Sequence, residues 1–297
     1  MKMKKYAVTL FIIALCATLR AQASAKRALV IGLSQYLSYS TPGLSWPAIH
    51  GANDARLLGH TLQAQGFAVS LLTDSQATAA AIRHALKHLA EATGKGDLVV
   101  VHFSGHGQPY EDTSGDEADG WDESIVPYDA GAKYVAGVYE GDRHITDDEL
   151  NDRISRIRRR AGTGGFVYVI LDACHIGGAS RGREDDEEQV PVRGSGIGFS
   201  PHARHYAPPI DTRPVIAMPR GRGMADACYI EACRAYQTNC EIRMDGRYYG
   251  ALSWYVSDVL RRTALSANLA WTDEVRRITE GDRRLIRQNI VIEKCTR

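Results

Sequence analysis

Two stretches of this chain are apolar on both faces, and they limit its fold more than any other feature. They are LVVVHFS, residues 98–104, and FVYVILD, residues 166–172. A strand with one wet face alternates apolar and polar side chains, whereas a strand covered on both faces reads as a continuous apolar run. Runs of this kind belong in the middle of a parallel sheet, and parallel neighbours need long crossovers, usually helical. The chain supplies them. RALVIGLS (27–34) is followed by WPAIHGANDARLLGHTLQAQGF, with Pro47 near its start, Gly66 as a stop and Ala55, Leu58 and Leu62 on one face. FAVSLLTD (67–74) is a second strand and TAAAIRHALKHLAEATGKG (78–96) a second helix.

Residues 107–130 read as a long polar loop, and KYVAGVYEGDRHI (133–145) as a short β-like piece. TDDELNDRISRIRRR opens a helix in which Thr146 and Glu149 have the spacing of a capping box. After the second buried run, residues 175–214 read as a flexible loop rich in Gly, Arg and acids. CYIEACRAY (228–236) is a strand, YYGALSWYVSDVLRRTA (248–264) and WTDEVRRITEGDRRLI (271–286) are helices, and QNIVIEK (288–294) is the last strand. This alternation predicts an α/β fold: a doubly wound, mostly parallel sheet flanked by helices, in one domain over residues 26–297.

The first 25 residues carry a different signal. MKMKK is a basic start, YAVTLFIIALCATL an apolar stretch and AQASA a small-residue cleavage region, which predicts a signal peptide cut near Ala23 or Ala25. The apolar run is shorter than the roughly 20 residues a membrane span needs. The expected product is exported, to the periplasm or beyond, with no stable membrane insertion. A net charge of +1 predicts no nucleic-acid binding through bulk electrostatics. Five cysteines remain without Cys16: Cys174, set apart, and Cys228, Cys233, Cys240 and Cys295, whose pairing the sequence leaves open.

In doubly wound sheets ligands bind beyond the carboxyl ends of the strands. His106 follows one buried run and Cys174 ends the other. A thiol is a strong nucleophile as thiolate, and a nearby imidazole takes its proton. Acyl transfer also needs donors for the developing oxyanion. Gly107, which leaves its N–H unobstructed, and the N–H of Cys174 are the candidates.

HFSGHG and LDACHIGG resemble the histidine and cysteine motifs of the caspase-like cysteine peptidases, metacaspases in particular. Asp172 stands where caspases have Gln and His175 where they have Arg, which suits the metacaspase pattern. KRALVIGLSQY, GANDARLLGHTLQAQGFAVSLLTD, GDEADGWDESIVPYD, HITDDELND, YIEACRAYQTNCE and YYGALSWYVSDVL occur in the order such enzymes use. The resemblance implies His106 as general base and Cys174 as nucleophile. It implies a primary pocket of Asp54, Ser104 and Asp172, selecting Arg or Lys before the cut, because a buried cation needs a counter-charge. The implied partners are therefore proteins or peptides with basic residues.

The resemblance further implies calcium as an activator, held by Asp122, Asp147 and Asp148, with Asp116, Glu117, Asp119 and Glu123 in the same acidic loop. Where a further aspartate is expected after the cysteine the chain has Arg181, and Asp185 or Asp186 are the nearest substitutes. No organic cofactor is implied. A peptidase that cuts after Arg has targets in its own polar loop, a preferred place for nicking. Arg193, between Val192 and Gly194, is the first candidate, with Arg183 and Arg181 behind it. Two readings stand beside this one: a catalytically inactive caspase-like binding module, and a calcium-independent, paracaspase-like peptidase. A metal hydrolase using His106, Cys174 and His175 is disfavoured, since no spaced ligand pair accompanies them.

Overall fold

The computed structural model describes residues 24–174, 191–202 and 204–295. Arg181, Arg183, His175, Asp185, Asp186 and the N-terminal segment up to residue 23 lie outside the described residues. In chain order the strands are β1 (Lys26–Gly32), β2 (Ala68–Thr73), β3 (Leu98–Ser104), β4 (Gly107–Glu111), β5 (Trp121–Ile125) and β6 (Ile145–Thr146). They continue with β7 (Phe166–Asp172), β8 (Val215–Met218), β9 (Asp226–Glu231), β10 (Glu241–Met244), β11 (Arg247–Gly250) and β12 (Val291–Cys295). The helices are α1 (Gly51–Ala64), α2 (Ala79–Ala92), α3 (Asp147–Ala161), α4 (Ala251–Leu260) and α5 (Ala270–Gly281).

The main sheet has the order β2-β1-β3-β7-β9-β12-β8. Its first five strands are mutually parallel, β12 pairs antiparallel with β9, and β8 runs parallel to β12. The expected doubly wound, mostly parallel α/β sheet is therefore the architecture. The chain starts at β1 and winds to β2 on one side and to β3 on the other, so the switch in winding lies between β1 and β3, beside β7.

The double apolarity of β3 and β7 follows from two cores. Val99, Val101, Val167 and Val169 pack with Ile82 and Leu86 of α2 and Ile154 and Ile157 of α3. Val100, Tyr168 and Ile170 face the other way, onto Leu58 and Leu62 of α1 and onto α4 and α5. Each fully buried valine stabilises the fold by roughly 1.5–3 kcal/mol.

Several elements differ from expectation. Residues 107–130 contain the antiparallel hairpin β4–β5, to which β6 adds a third strand. In 133–145 the described β pairing is an isolated bridge between Val135 and Tyr139 together with β6. The strand expected over 228–236 ends at Glu231, and residues 247–250 pair with β10 rather than opening a helix. Thr146 does cap α3, accepting from the Glu149 N–H at 3.4 Å. The Glu149 carboxylate engages the Arg83 guanidinium on α2 instead of completing the capping box. Residues 191–199 are strung along the hairpin and the cleft: Gly194 bridges to Gly107, and Phe199 bridges to Tyr110 and donates to the Pro109 carbonyl at 2.7 Å. Among the described residues no helix is long and apolar enough to cross a membrane.

Candidate active site

The carboxyl ends of β1, β3 and β7 converge, and the chain just beyond each strand supplies a wall of one cleft. Beyond β3 the chain turns through Gly105, where a Cβ would lie 2.8 Å from the Phe103 ring and 3.0 Å from the Tyr36 hydroxyl. That hydroxyl accepts the His106 backbone N–H at 2.8 Å. The imidazole lies against Trp46, ring centroids 4.7 Å apart, and its Nε2 is 3.0 Å from the Pro47 carbonyl oxygen. A carbonyl only accepts, so Nε2 carries the proton and Nδ1 carries the lone pair. Nδ1 is buried and has no hydrogen-bond partner among the described residues. Burial pushes the imidazole down to about 4, outweighing the Pro47 hydrogen bond, so the ring is neutral and Nδ1 is a vacant base.

Cys174 sits two residues past β7. Its Sγ is 3.0 Å from the Gln237 carbonyl oxygen, and its N–H donates to the carbonyl of Arg193 at 2.8 Å. Residues 191–193 thus lie in the cleft as an added strand. The Arg193 N–H donates to the Asn239 carbonyl at 3.0 Å, the Glu241 N–H donates to the Pro191 carbonyl at 3.2 Å, and Val192 bridges antiparallel to Cys240. Main-chain pairing of an extended segment with a sheet edge is a common mode of peptide recognition. The next residue, Gly194, fits because it has no side chain: a Cβ there would come within 2.2 Å of the Cys174 carbonyl oxygen.

The side chain of Arg193 is fully buried, and the expected pocket closes around it. Nη1 is 2.7 Å from Asp54 Oδ2, 2.5 Å from Ser104 Oγ and 3.5 Å from Asp172 Oδ1, while Nη2 is 2.7 Å from Glu241 Oε1. Each carboxylate is fixed in turn. Asp54, from the first turn of α1, accepts from Ser104 Oγ at 2.7 Å and from the Gly250 N–H at 3.0 Å. Asp172 accepts from Asn239 Nδ2 and from the Ser253 N–H, both at 2.8 Å. Gly250 also makes the room, since a Cβ there would lie 2.5 Å from Arg193 Nη1. Burial raises the Asp54 carboxyl to about 7 despite the opposing pull of Arg193. The guanidinium itself is held charged, its burial more than offset by Asp54, Asp172 and Glu241.

The structure brings together His106, Cys174, Gly107, Asp54, Ser104, Asp172 and Arg193. Glu241, Asn239, Gly250 and the Pro47 carbonyl join them, although no sequence motif marks them for the site. Glu241 and Asn239 fall within the block YIEACRAYQTNCE, so position along the chain was the available signal.

A second cluster lies on the hairpin. Carboxylate oxygens of Asp112, Asp116 and Asp122 lie within 4.8 Å of one another. Asp112 is held as a carboxylate, down to about 2, by the N–H groups of Gly115 and Glu117. Burial, with Asp147 as the next contributor, pushes Asp122 up to about 7, and burial with Asp148 raises Asp147 to about 6. Asp122 Oδ1 and Asp147 Oδ1 are buried without a hydrogen-bond partner among the described residues. A hard cation takes carboxylate oxygens at about 2.3–2.6 Å, so ligands on one ion lie up to about 5 Å apart. The cluster fits that demand. Asp112 was not foreseen as a member, and Asp148 lies exposed at the edge.

Comparison with known proteins agrees with this geometry. The caspase-domain family of peptidases matches residues 25–289, and the chain belongs to that family. Metacaspase-3 of Arabidopsis thaliana is 35% identical over 51% of this chain and 40% of its own length. Metacaspase-1 of Mycosarcoma maydis is 26% identical over 80% of this chain and 63% of its own. The chain thus spans about two fifths to three fifths of such relatives. A solved structure from Geobacter sulfurreducens superposes with a TM-score of 0.61 at 22% identity, covering 91% of this chain and 93% of that one, which supports the fold.

Proposed function

We propose that this chain is an exported cysteine endopeptidase that cleaves after basic residues, Arg before Lys, and processes itself between Arg193 and Gly194. One observation carries the reading: a fully buried arginine sits in a pocket of three carboxylates and the Ser104 hydroxyl, with its carbonyl 2.8 Å from the Cys174 N–H. A segment so placed is bound as a substrate is bound.

In the reaction, His106 Nδ1 takes the Cys174 proton and the thiolate adds to the Arg193 carbonyl carbon. The Cys174 N–H, with that of Gly107, stabilises the oxyanion. The imidazolium returns its proton to the departing Gly194 nitrogen, leaving an acyl-enzyme. A water deprotonated by His106 then releases the new carboxylate and the thiol. A guanidinium spans Asp54 and Glu241 together, whereas a lysine ammonium is a single point charge, which places Arg ahead of Lys.

Calcium, when bound, neutralises carboxylate charge, and Asp112, Asp116 and Asp122 would hold it, with Asp147 adding negative charge nearby rather than joining the group. The cluster lies on the hairpin whose β4 begins at Gly107, so the hairpin links it to the cleft. A binding module of the same fold would need neither the vacant imidazole nitrogen nor a glycine beside the thiol. Hydrolysis of fluorogenic peptides ending in Arg, Lys or Asp, with and without calcium, tests the proposal. Cleavage after Arg that is lost in Cys174→Ala is expected; cleavage retained in that variant, or only after Asp, contradicts it.

A further inference from the structure

Cys233 lies in the cleft and has no part in the chemistry above. It comes just after β9, the parallel neighbour of β7, and the Ala232 N–H donates to the Leu171 carbonyl at 3.0 Å, which carries the pairing of the two strands past their formal ends. Continued from Leu171 opposite Glu231, the register sets Cys233 opposite Ala173, one residue from Cys174. Adjacent strands are about 4.8 Å apart, and disulfides join residues whose Cα atoms are about 4.4–6.8 Å apart. The side chains converge as well. Cys174 Sγ is 3.0 Å and Cys233 Sγ 3.5 Å from the same Gln237 carbonyl oxygen, and Cys233 Sγ is 3.9 Å from the Ala173 carbonyl. Interaction with Cys174, followed by burial, raises the Cys233 thiol well above its ordinary value, so it stays protonated while residues 191–194 fill the cleft.

We propose that Cys233 is a resolving cysteine, so that oxidation of Cys174 ends in a reversible Cys174–Cys233 disulfide. The oxidant class is a small-molecule disulfide such as oxidised glutathione. The Cys174 thiolate attacks one of its sulfurs, forming a mixed disulfide and releasing one thiolate. That thiolate takes up a proton, Cys233 loses its own, and the Cys233 sulfur attacks Cys174 and expels the second thiol. Two protein thiols are oxidised, one external disulfide is reduced, and both protons leave with the two products. Gly194 covers Cys174 in the closed chain, so the exchange belongs to enzyme from which residues 191–194 have withdrawn.

The inference rests on Cys174 as nucleophile only for its effect on activity; the disulfide is read by mass. The full chain, and an Arg193→Ala variant whose segment has lost its anchor, are exposed to oxidised glutathione, alkylated and digested. The expected result is a peptide linking Cys174 to Cys233, with hydrolysis of Arg peptides lost and restored by dithiothreitol. In Cys233→Ser, Cys174 carries glutathione instead. A linked peptide in a chain without peptidase activity would leave the thiol pair standing and remove the peptidase reading. A lasting glutathione adduct on wild-type Cys174 beside an alkylatable Cys233 overturns the inference. So does a link from Cys174 to another cysteine, or both thiols remaining reduced in both chains.

Discussion

The guanidinium of Arg193 is faced by Asp54, Asp172 and Glu241, all buried. Removing one partner of a buried ion pair costs about 3–5 kcal/mol, because the charge left behind is uncompensated. Arg193→Gln is therefore expected to lower the unfolding free energy of uncleaved chain by about that amount. The loss depends on pH. Burial already raises Asp54 to about 7, and removing the cation raises it further. A carboxyl raised above its unfolded value contributes stability at low pH that disappears as pH rises through its folded pKa. The urea midpoints of wild type and variant should diverge more at pH 8.5 than at pH 5.5; a constant gap would count against the pocket electrostatics. Gly194→Ala brings a Cβ against the Cys174 carbonyl, and backbone yields less readily than a side chain. Self-cleavage should slow about tenfold or more, about 1.4 kcal/mol in barrier, in a timed gel assay. Residues at the strand ends, His106 and Cys174, were legible because each closes a buried apolar run beside small residues, in the motifs HFSGHG and LDACHIGG. Glu241 and Asn239 were not, because they come after a strand in a polar stretch with no periodicity, and the chain fold alone brings them to the pocket.

At the scale of elements, the β4–β5 hairpin and the start of α3 share the acidic cluster. Asp122, Glu123 and Asp147 are raised to about 7, about 8 and about 6, burial being the largest cause in each. Like Asp54, these groups stabilise the chain while protonated and cease to do so as pH rises through that range. A cation replaces the protons, so calcium should raise the melting temperature more at pH 8 than at pH 5.5, and Asp122→Asn should abolish most of that rise. An equal rise at both pH values, or one that survives the substitution, would remove calcium from this site. The hairpin was not legible in sequence. GQPYE and WDESI lack apolar alternation, and Pro109 and the glycines argue locally for loop. Tertiary pairing overrides that preference, as it does for residues 191–199.

For the molecule as a whole, the sheet and its flanking helices were legible because apolar and amphipathic stretches alternate in period between strand and helix along the chain. The reversal of β12 against β9 was not, since an apolar run has no direction and only the length of its connections constrains it. The winding switch sets the cleft between elements far apart in sequence, and the chain fills that cleft with its own residues 191–194. On the function proposed above, one event is central: cleavage at a named bond by a named thiol. The most direct measurement is the intact mass and new N-terminus of the full chain after incubation with calcium, beside Cys174→Ala. Two fragments from the wild type, the second beginning at Gly194, with the variant left whole, is the predicted result. A wild-type chain that stays intact, a cut elsewhere in place of this one, or the same cut in Cys174→Ala would contradict it.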